Sequence, residues 1–233
     1  MTAGAESARQ GHGRIIVAAT SFADASSGVH LASLLSARIE ADLQGIFIEE
    51  EETVGLFRGP SARIVSATGA LLALPSSEEL RAALKRDALA FEREIARIAQ
   101  THARSWSFRT LQGRLIARLG DVLQTRDILL LGHRPLHRLR GPVIRLGPSG
   151  RPDIAADLAA DLRVPLVDIA GAGAAQPAMT LDETLALIGR TSAAAVVADT
   201  VSGPVRTPEQ IEALLGAARC PVILLGTPPS DGG

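Results

Sequence analysis

The chain has 233 residues, 46% of them hydrophobic and 21% charged, which is ordinary globular composition with enough apolar residues for a sizeable core. A formal net charge of −1 gives no general attraction for nucleic acid or an anionic membrane, and 3% aromatic residues leave few faces on which bases could stack. The single cysteine, Cys220, excludes an intramolecular disulfide and a cysteine-based zinc site.

The amino-terminal segment is small and polar, and it lacks the apolar centre of a signal peptide. We expect residues 1–13 to form a disordered tail. No apolar run approaches the roughly 20 residues that span a bilayer. The expected location is therefore the cytoplasm, without a membrane or nucleic-acid partner.

The first half alternates short apolar runs with helical patterns. Strands are predicted at residues 15–20, 43–48, 106–110 and 128–131, the last closed by Gly132. Helices are predicted at residues 29–39, 76–98 and 113–123, the first capped by Asp24, Ser26 or Ser27 and the second by Ser76 with Glu79. The segment 55–75 is irregular and is expected to hold a short helix around residues 67–74. This alternation predicts crossover units and a parallel sheet covered by helices on both faces.

The second half repeats the pattern in shortened form. Its strands are predicted at residues 142–146, 165–169, 194–198 and 221–225, and its helices at 153–162, at 180–189 and from Thr207 onward. The pattern leaves open whether strand 142–146 joins the first or the second sheet. The predicted fold is therefore α/β, doubly wound, with two tandem halves at 14–138 and 139–227 and a loose tail at 228–233.

Three stretches carry a resemblance to the universal stress protein family. They are RIIVAATSFADASSGVHLASLLSARIEADLQGIFIEE, TLQGRLIARLGDVLQTRDILLLG and ARCPVILLG. The resemblance implies Rossmann-like halves with strand order 3-2-1-4-5. It also implies a ligand crevice at the carboxyl ends of strands one and four, where the order reverses.

Two departures from the family pattern bear on nucleotide binding. Nucleotide-binding members place an aspartate directly after the first strand, whereas this chain has Thr20 and Ser21 there. Those members also follow the fourth strand with spaced glycines, and here Gly132 is followed by His133 and Arg134. Without the second glycine the backbone cannot approach phosphates as closely. ATP or another nucleotide is compatible with the implied fold, but its motif is incomplete, so no cofactor is assigned.

The candidate ligand residues lie after the first and fourth strands. They are Thr20, Ser21, Gly132, His133, Arg134, His137 and Arg138. Guanidinium groups there could hold a phosphate or carboxylate bidentately, although a charge run is more often a solvated connector, and helix capping equally explains the hydroxyls. No catalytic or metal-binding set is predicted.

Three functions remain open. The leading hypothesis is a non-enzymatic binding or regulatory protein of stress response, with a small anionic or nucleotide ligand in the crevice and with either an internal pseudo-dimer or a homodimer. The second is an enzyme of the adenine-nucleotide α-hydrolase-like superfamily, with His133 or His137 as its base. The third is a pure interaction module that docks through residues 55–75.

Overall fold

The computed structural model describes residues 13–50, 64–65, 71–72, 76–120, 123–124, 126–133, 141–148, 153–169 and 179–226. The strands are β1 (Arg14–Ala19), β2 (Asp42–Glu49), β3 (Ile64–Val65), β4 (Leu71–Leu72), β5 (Trp106–Gln112), β6 (Ile128–Leu131), β7 (Val143–Leu146), β8 (Leu166–Ile169), β9 (Ala195–Asp199) and β10 (Val222–Leu225). The helices are α1 (Phe22–Ser36), α2 (Ser77–Thr101), α3 (Leu115–Gly120), α4 (Ile154–Leu162), α5 (Leu181–Arg190) and α6 (Pro208–Ala217).

Both halves contribute to one eight-stranded sheet, in the order β5-β2-β1-β6-β10-β9-β7-β8. Every neighbouring pair is parallel except β6 and β10, which pair antiparallel at the centre. This confirms the predicted doubly wound α/β class. The sequence did not indicate the antiparallel junction, which turns the strand ends of the second half toward the opposite rim of the sheet.

Strand β10 borders both halves. In the strand order that the resemblance implies, β5, β2, β1 and β6 take positions three, two, one and four, and β10 lies beside β6 where a fifth strand would lie. On its other side β10 pairs in parallel with β9 of its own half. Strand β7, which the sequence left unassigned, lies between β9 and β8 and so belongs to the second half. The proposed division after residue 138 falls outside the described residues and stays a prediction.

Two apolar clusters cover the two faces of the sheet, and each contains residues of both halves. One lies under α1, α2 and α4, with Val17, Phe91 and Leu158 among its fully buried members. The other lies under α3, α5 and α6. Because each cluster crosses the β6–β10 junction, the hydrophobic contribution to stability is shared between the halves.

Helices of the two halves also meet across the junction. On one face the Nε of Arg38, in the turn after α1, donates to Asp161 of α4 at 2.7 Å, which lowers the pKa of Asp161. On the other face Arg114 Nη2 lies 3.1 Å from Glu212 Oε1 of α6. These pairs are solvent-accessible and screened by water, so they contribute little to stability and serve mainly to align the two halves.

A buried polar chain fixes the amino ends of four strands. Asp127, 2% exposed, accepts from the backbone N–H of Arg14 at 3.0 Å and from its Nη2 at 2.5 Å. Arg14 also donates to the Gln44 side chain, which in turn donates to Ser107 Oγ at 3.0 Å. The chain links β6, β1, β2 and β5, so a slip of one strand would leave a buried charge without its partner.

Most predicted elements are confirmed within a few residues, with two corrections. Helix α1 begins at Phe22 with Ser21 as its cap, rather than at Asp24, Ser26 or Ser27. The short helix expected around residues 67–74 is wrong, because Leu71–Leu72 pairs antiparallel with Ile64–Val65. An isolated helical turn is costly to nucleate, whereas this pairing satisfies backbone groups at once. Among the described residues, no helix has both the length and the apolar character needed to cross a bilayer.

We predict that Ile223→Ala in β10 lowers the free energy of unfolding by about 2–5 kcal/mol while unfolding remains a single transition. Ile223 is 0% exposed and belongs to a cluster shared by both halves. Chemical denaturation followed by circular dichroism and by Trp106 fluorescence checks this. The control Val201→Ala, at a site 60% exposed, should change stability by less than about 0.5 kcal/mol. Two resolved transitions would contradict a shared core.

Candidate functional site

Ligands of open α/β sheets bind outside the carboxyl ends of strands, where the strand order reverses. This sheet has two such places. We call the ends of β1 and β6, with the residues that follow them, the first switch point. We call the corresponding ends of β7 and β9 the second switch point. Because β6 and β10 are antiparallel, the two switch points lie on opposite rims of the sheet.

At the first switch point, side chains of the protein occupy the amino end of α1. The backbone N–H of Phe22 donates to Asp87 of α2 at 3.0 Å. The N–H of Asp24 donates to Ser21 Oγ at 3.1 Å, and the Ser21 hydroxyl donates to the Asp24 carboxylate at 2.6 Å. Ser21 therefore acts as a helix cap, one of the two roles that the sequence allowed for it.

The backbone after β6 packs directly on the first turns of α1. A Cβ added to Gly132 would lie 1.9 Å from the Asp24 carbonyl oxygen, so only glycine fits there. One turn further, the Ser27 hydroxyl donates to the His133 carbonyl at 2.9 Å and accepts from the His133 N–H at 3.1 Å. Ser27 is 5% exposed. In this way α1 fills the space between the ends of β1 and β6.

The structure brings together four of the predicted ligand residues, Thr20, Ser21, Gly132 and His133. The other three, Arg134, His137 and Arg138, lie outside the described residues. A ligand role for the set therefore stays a prediction, as does a catalytic base at His133 or His137.

At the second switch point, Asp199 organises the turn that follows β9. Its Oδ1 accepts from the N–H groups of Val201 and Ser202, each at 2.8 Å, and its carbonyl accepts from Gly203 at 2.9 Å. A Cβ on Gly203 would lie 2.2 Å from the Asp199 carbonyl oxygen. Gly147, with φ +116°, follows β7 and packs against Gly203. Two glycines thus let the backbone close over the ends of these strands.

A charged network lies beside this turn. Arg145 of β7 donates to both carboxylate oxygens of Asp168 on the edge strand β8, with the Nη2 bond at 2.8 Å. Its Nη1 donates to Asp153, the cap of α4, at 2.6 Å. The bonds to Asp168 chiefly, and then to Asp153, raise the pKa of Arg145 against the opposing effect of burial. The guanidinium is therefore firmly charged and already engaged.

Arg145, Asp153 and Asp199 line a small depression with Leu146, Pro148, Ile154, Ala155, Val197 and Leu225. Its free space is about 10 Å³, room for one water molecule. Arg206 also lies at this turn, where its Nε donates to the Gly203 carbonyl at 2.8 Å. With Asp168 included, two guanidiniums therefore stand against three carboxylates among the described residues, so the local charge is slightly negative. A site with this negative charge does not suit a phosphate.

Sequence reasoning missed Arg145, Asp153, Asp168 and Asp199. A signal was present, since Arg145 and Asp168 are single charges inside short apolar runs and become cross-strand partners. Pairing them required the register of β7 and β8, which no local pattern fixes.

The described residues offer neither a cluster of metal ligands nor a reactive thiol. The described residues contain no cluster of three or more His, Cys, Asp or Glu side chains that could hold a metal ion. Cys220 is buried, and this burial raises the pKa of its thiol to about 12.

Comparisons with known proteins leave the family open. No protein-family profile matches the chain, and no curated protein is similar to it. Among solved structures, the cytoplasmic domain of a prokaryotic cation chloride cotransporter aligns with 94% of this chain and 98% of its own, at 12% identity and a TM-score of 0.39. A likeness at this level supports no argument about function.

We predict that Gly132→Ala destabilises the protein by roughly 3 kcal/mol, the upper end for overpacking, because the added methyl group meets backbone that cannot turn away. Gly216→Ala is the matched control, since a Cβ there has no atom within 4 Å. It should raise stability by about 0.5–1 kcal/mol as a better helix former. Urea unfolding measures both, and equal stabilities would contradict close packing of α1 on Gly132.

We also predict that Cys220 resists thiol reagents at neutral pH in the folded protein. A buried thiol with a raised pKa presents almost no thiolate to react. Labelling with a chromogenic disulfide should be slow in buffer and complete in denaturant. Fast stoichiometric labelling without denaturant would show that the thiol is accessible.

Proposed function

We propose that this chain is a non-enzymatic regulatory or interaction module with the architecture of two fused universal-stress-protein-like halves, and that it works without a bound nucleotide. The main observation in support is that carboxylates of the protein itself accept hydrogen bonds from backbone N–H groups at both switch points. A role in stress response is part of the proposal and comes from the resemblance alone.

A bound phosphate needs several hydrogen-bond donors directed at one point. Phosphates bind at helix amino ends and in turns because several backbone N–H groups point to one place. At the amino end of α1, the N–H of Phe22 donates to Asp87. In the turn after β9, two N–H groups converge on the Asp199 carboxylate. A carboxylate thus stands where a ligand anion would stand.

Displacing these carboxylates is unfavourable. A hydrogen bond to a charged group contributes about 1.5–3 kcal/mol, and a phosphate would have to replace each one that it breaks. At the second switch point it would also approach three carboxylates that two arginines, Arg145 and Arg206, offset only in part. The hydrogen bonds that would be lost and the repulsion by the carboxylates both disfavour nucleotide binding.

The glycines support the same conclusion. In nucleotide-binding sheets, glycine lets the backbone approach the phosphates closely. Here Gly132 and Gly203 bring backbone onto the protein's own carbonyl oxygens. The close backbone approach that glycine permits is therefore used for packing within the protein and not for contact with a phosphate.

The continuous sheet supports a fused pseudo-dimer. Strand β10 closes both halves, so neither needs a second copy of the chain at that position. We propose that protein partners bind the outer surface of this unit.

A nucleotide test addresses the proposal directly. Acid extraction of the purified protein followed by chromatography should release no stoichiometric nucleotide. Thermal unfolding with rising ATP, ADP or inorganic phosphate should show no saturable stabilisation, whereas a ligand at a hundredfold excess over its Kd adds about 2.7 kcal/mol.

A saturable rise in Tm with any of these ligands would overturn the nucleotide-independent proposal. Asp199→Asn is the matched control variant, because it keeps the side-chain shape and removes the charge. If phosphate stabilises that variant alone, the carboxylate excludes anions as proposed.

A further inference from the structure

The carboxyl ends of α1 and α2 meet around two buried polar groups. Ser36, the last residue of α1, is 0% exposed, and its hydroxyl has no hydrogen-bond partner within the described part of the protein. Arg104, just beyond α2, buries its Nε–H in the same way. The two groups are neighbours, because Nη2 of Arg104 donates to the carbonyl oxygen of Ser36 at 3.3 Å.

Two unpaired buried polar groups in one place require a physical explanation. Leaving a buried donor or acceptor unsatisfied destabilises a protein, and most such groups in folded proteins have a protein or water partner. The Ser36 hydroxyl can donate and accept, and the Arg104 Nε–H can donate. A molecule that accepts from both groups would satisfy both.

The local charge selects the chemistry of that molecule. Nη1 of Arg104 lies 3.9 Å from Glu40, and Nη2 points at the carbonyl end of α1, where the helix dipole is negative. The guanidinium charge is thus already offset. A neutral acceptor fits better than an anion, which would meet the same negative end of the helix.

We infer that an ordered water molecule binds between Ser36 Oγ and Arg104 Nε and joins the ends of α1 and α2. It accepts from Nε–H and hydrogen-bonds with the Ser36 hydroxyl, so both buried groups are satisfied. The bridge adds a contact between helices whose Ser33 and His102 already approach to 3.4 Å. Arg104 thereby acts as a positioning residue for the α1–α2 pair.

A crystal structure of the full chain tests the inference. We expect a density peak within hydrogen-bonding distance of both atoms, and its loss in the Ser36→Ala variant. A crystal soaked in bromide should show no anomalous peak there. Absence of the bridging peak, or a bromide peak in its place, would overturn the inference.

Thermal unfolding supplies a second readout. Ser36→Ala should lower Tm by about 2–4 °C relative to Ser26→Ala, the shift expected for one hydrogen bond in a protein of this size. Ser26 is an exposed residue of the same helix, and its hydroxyl donates to the Ala23 carbonyl at 2.9 Å, so this control removes a solvent-exposed hydrogen bond by the same substitution. An equal or higher Tm for Ser36→Ala would mean that the hydroxyl lacks a partner, and would count against the water.

Discussion

Where β6 meets β10, two groups of parallel strands that run in opposite directions share one set of backbone hydrogen bonds. Four residue pairs, from Val222–Leu131 to Leu225–Ile128, make this contact, and all but one of the residues are buried. Without β10, the wholly buried strand Ile128–Leu131 would present an unpaired apolar edge. The continuity of the sheet, the shared apolar clusters and the opposed rims all follow from this contact.

A second constraint concerns how the strand ends are closed. Open α/β sheets place glycines and helix amino ends at their switch points, and both are present here. This chain combines them with carboxylates at Asp87, Asp153 and Asp199, each bonded to a nearby backbone N–H. The same local chemistry that favours phosphate binding thus stabilises a site that the protein closes by itself. The negative charge left at the second switch point adds to this effect.

Local pattern was a good guide to the elements and a poor guide to their connections. Short apolar runs such as Ile128–Leu131 identified the strands, because such runs fit strands that are buried on both faces. Capping boxes at Ser76 and Thr180 placed the starts of α2 and α5 correctly. The antiparallel junction was not predictable, because strand direction depends on how the chain returns to the sheet and leaves no mark within Val222–Leu225.

The candidate site was likewise predictable only in part from the sequence. The structure places Thr20 and Ser21 beside Gly132 and His133, because the carboxyl ends of the parallel strands β1 and β6 meet at one rim, and their ligand role stays a prediction. Their mutual contacts were not foreseen, since the bonds of Ser27 to His133 and of Asp87 to Phe22 join residues 106 and 65 positions apart. The Arg145 network depends in addition on strand register, a tertiary property.

The opposed rims have a geometric consequence for recognition. A flat object, whether a lipid surface or a single rigid domain, can lie against one rim at a time, because the two rims lie at opposite ends of the strands. Contact with both at once requires a partner that wraps around the sheet or two separate molecules. The sheet therefore presents two separate strand-end surfaces that differ in sequence.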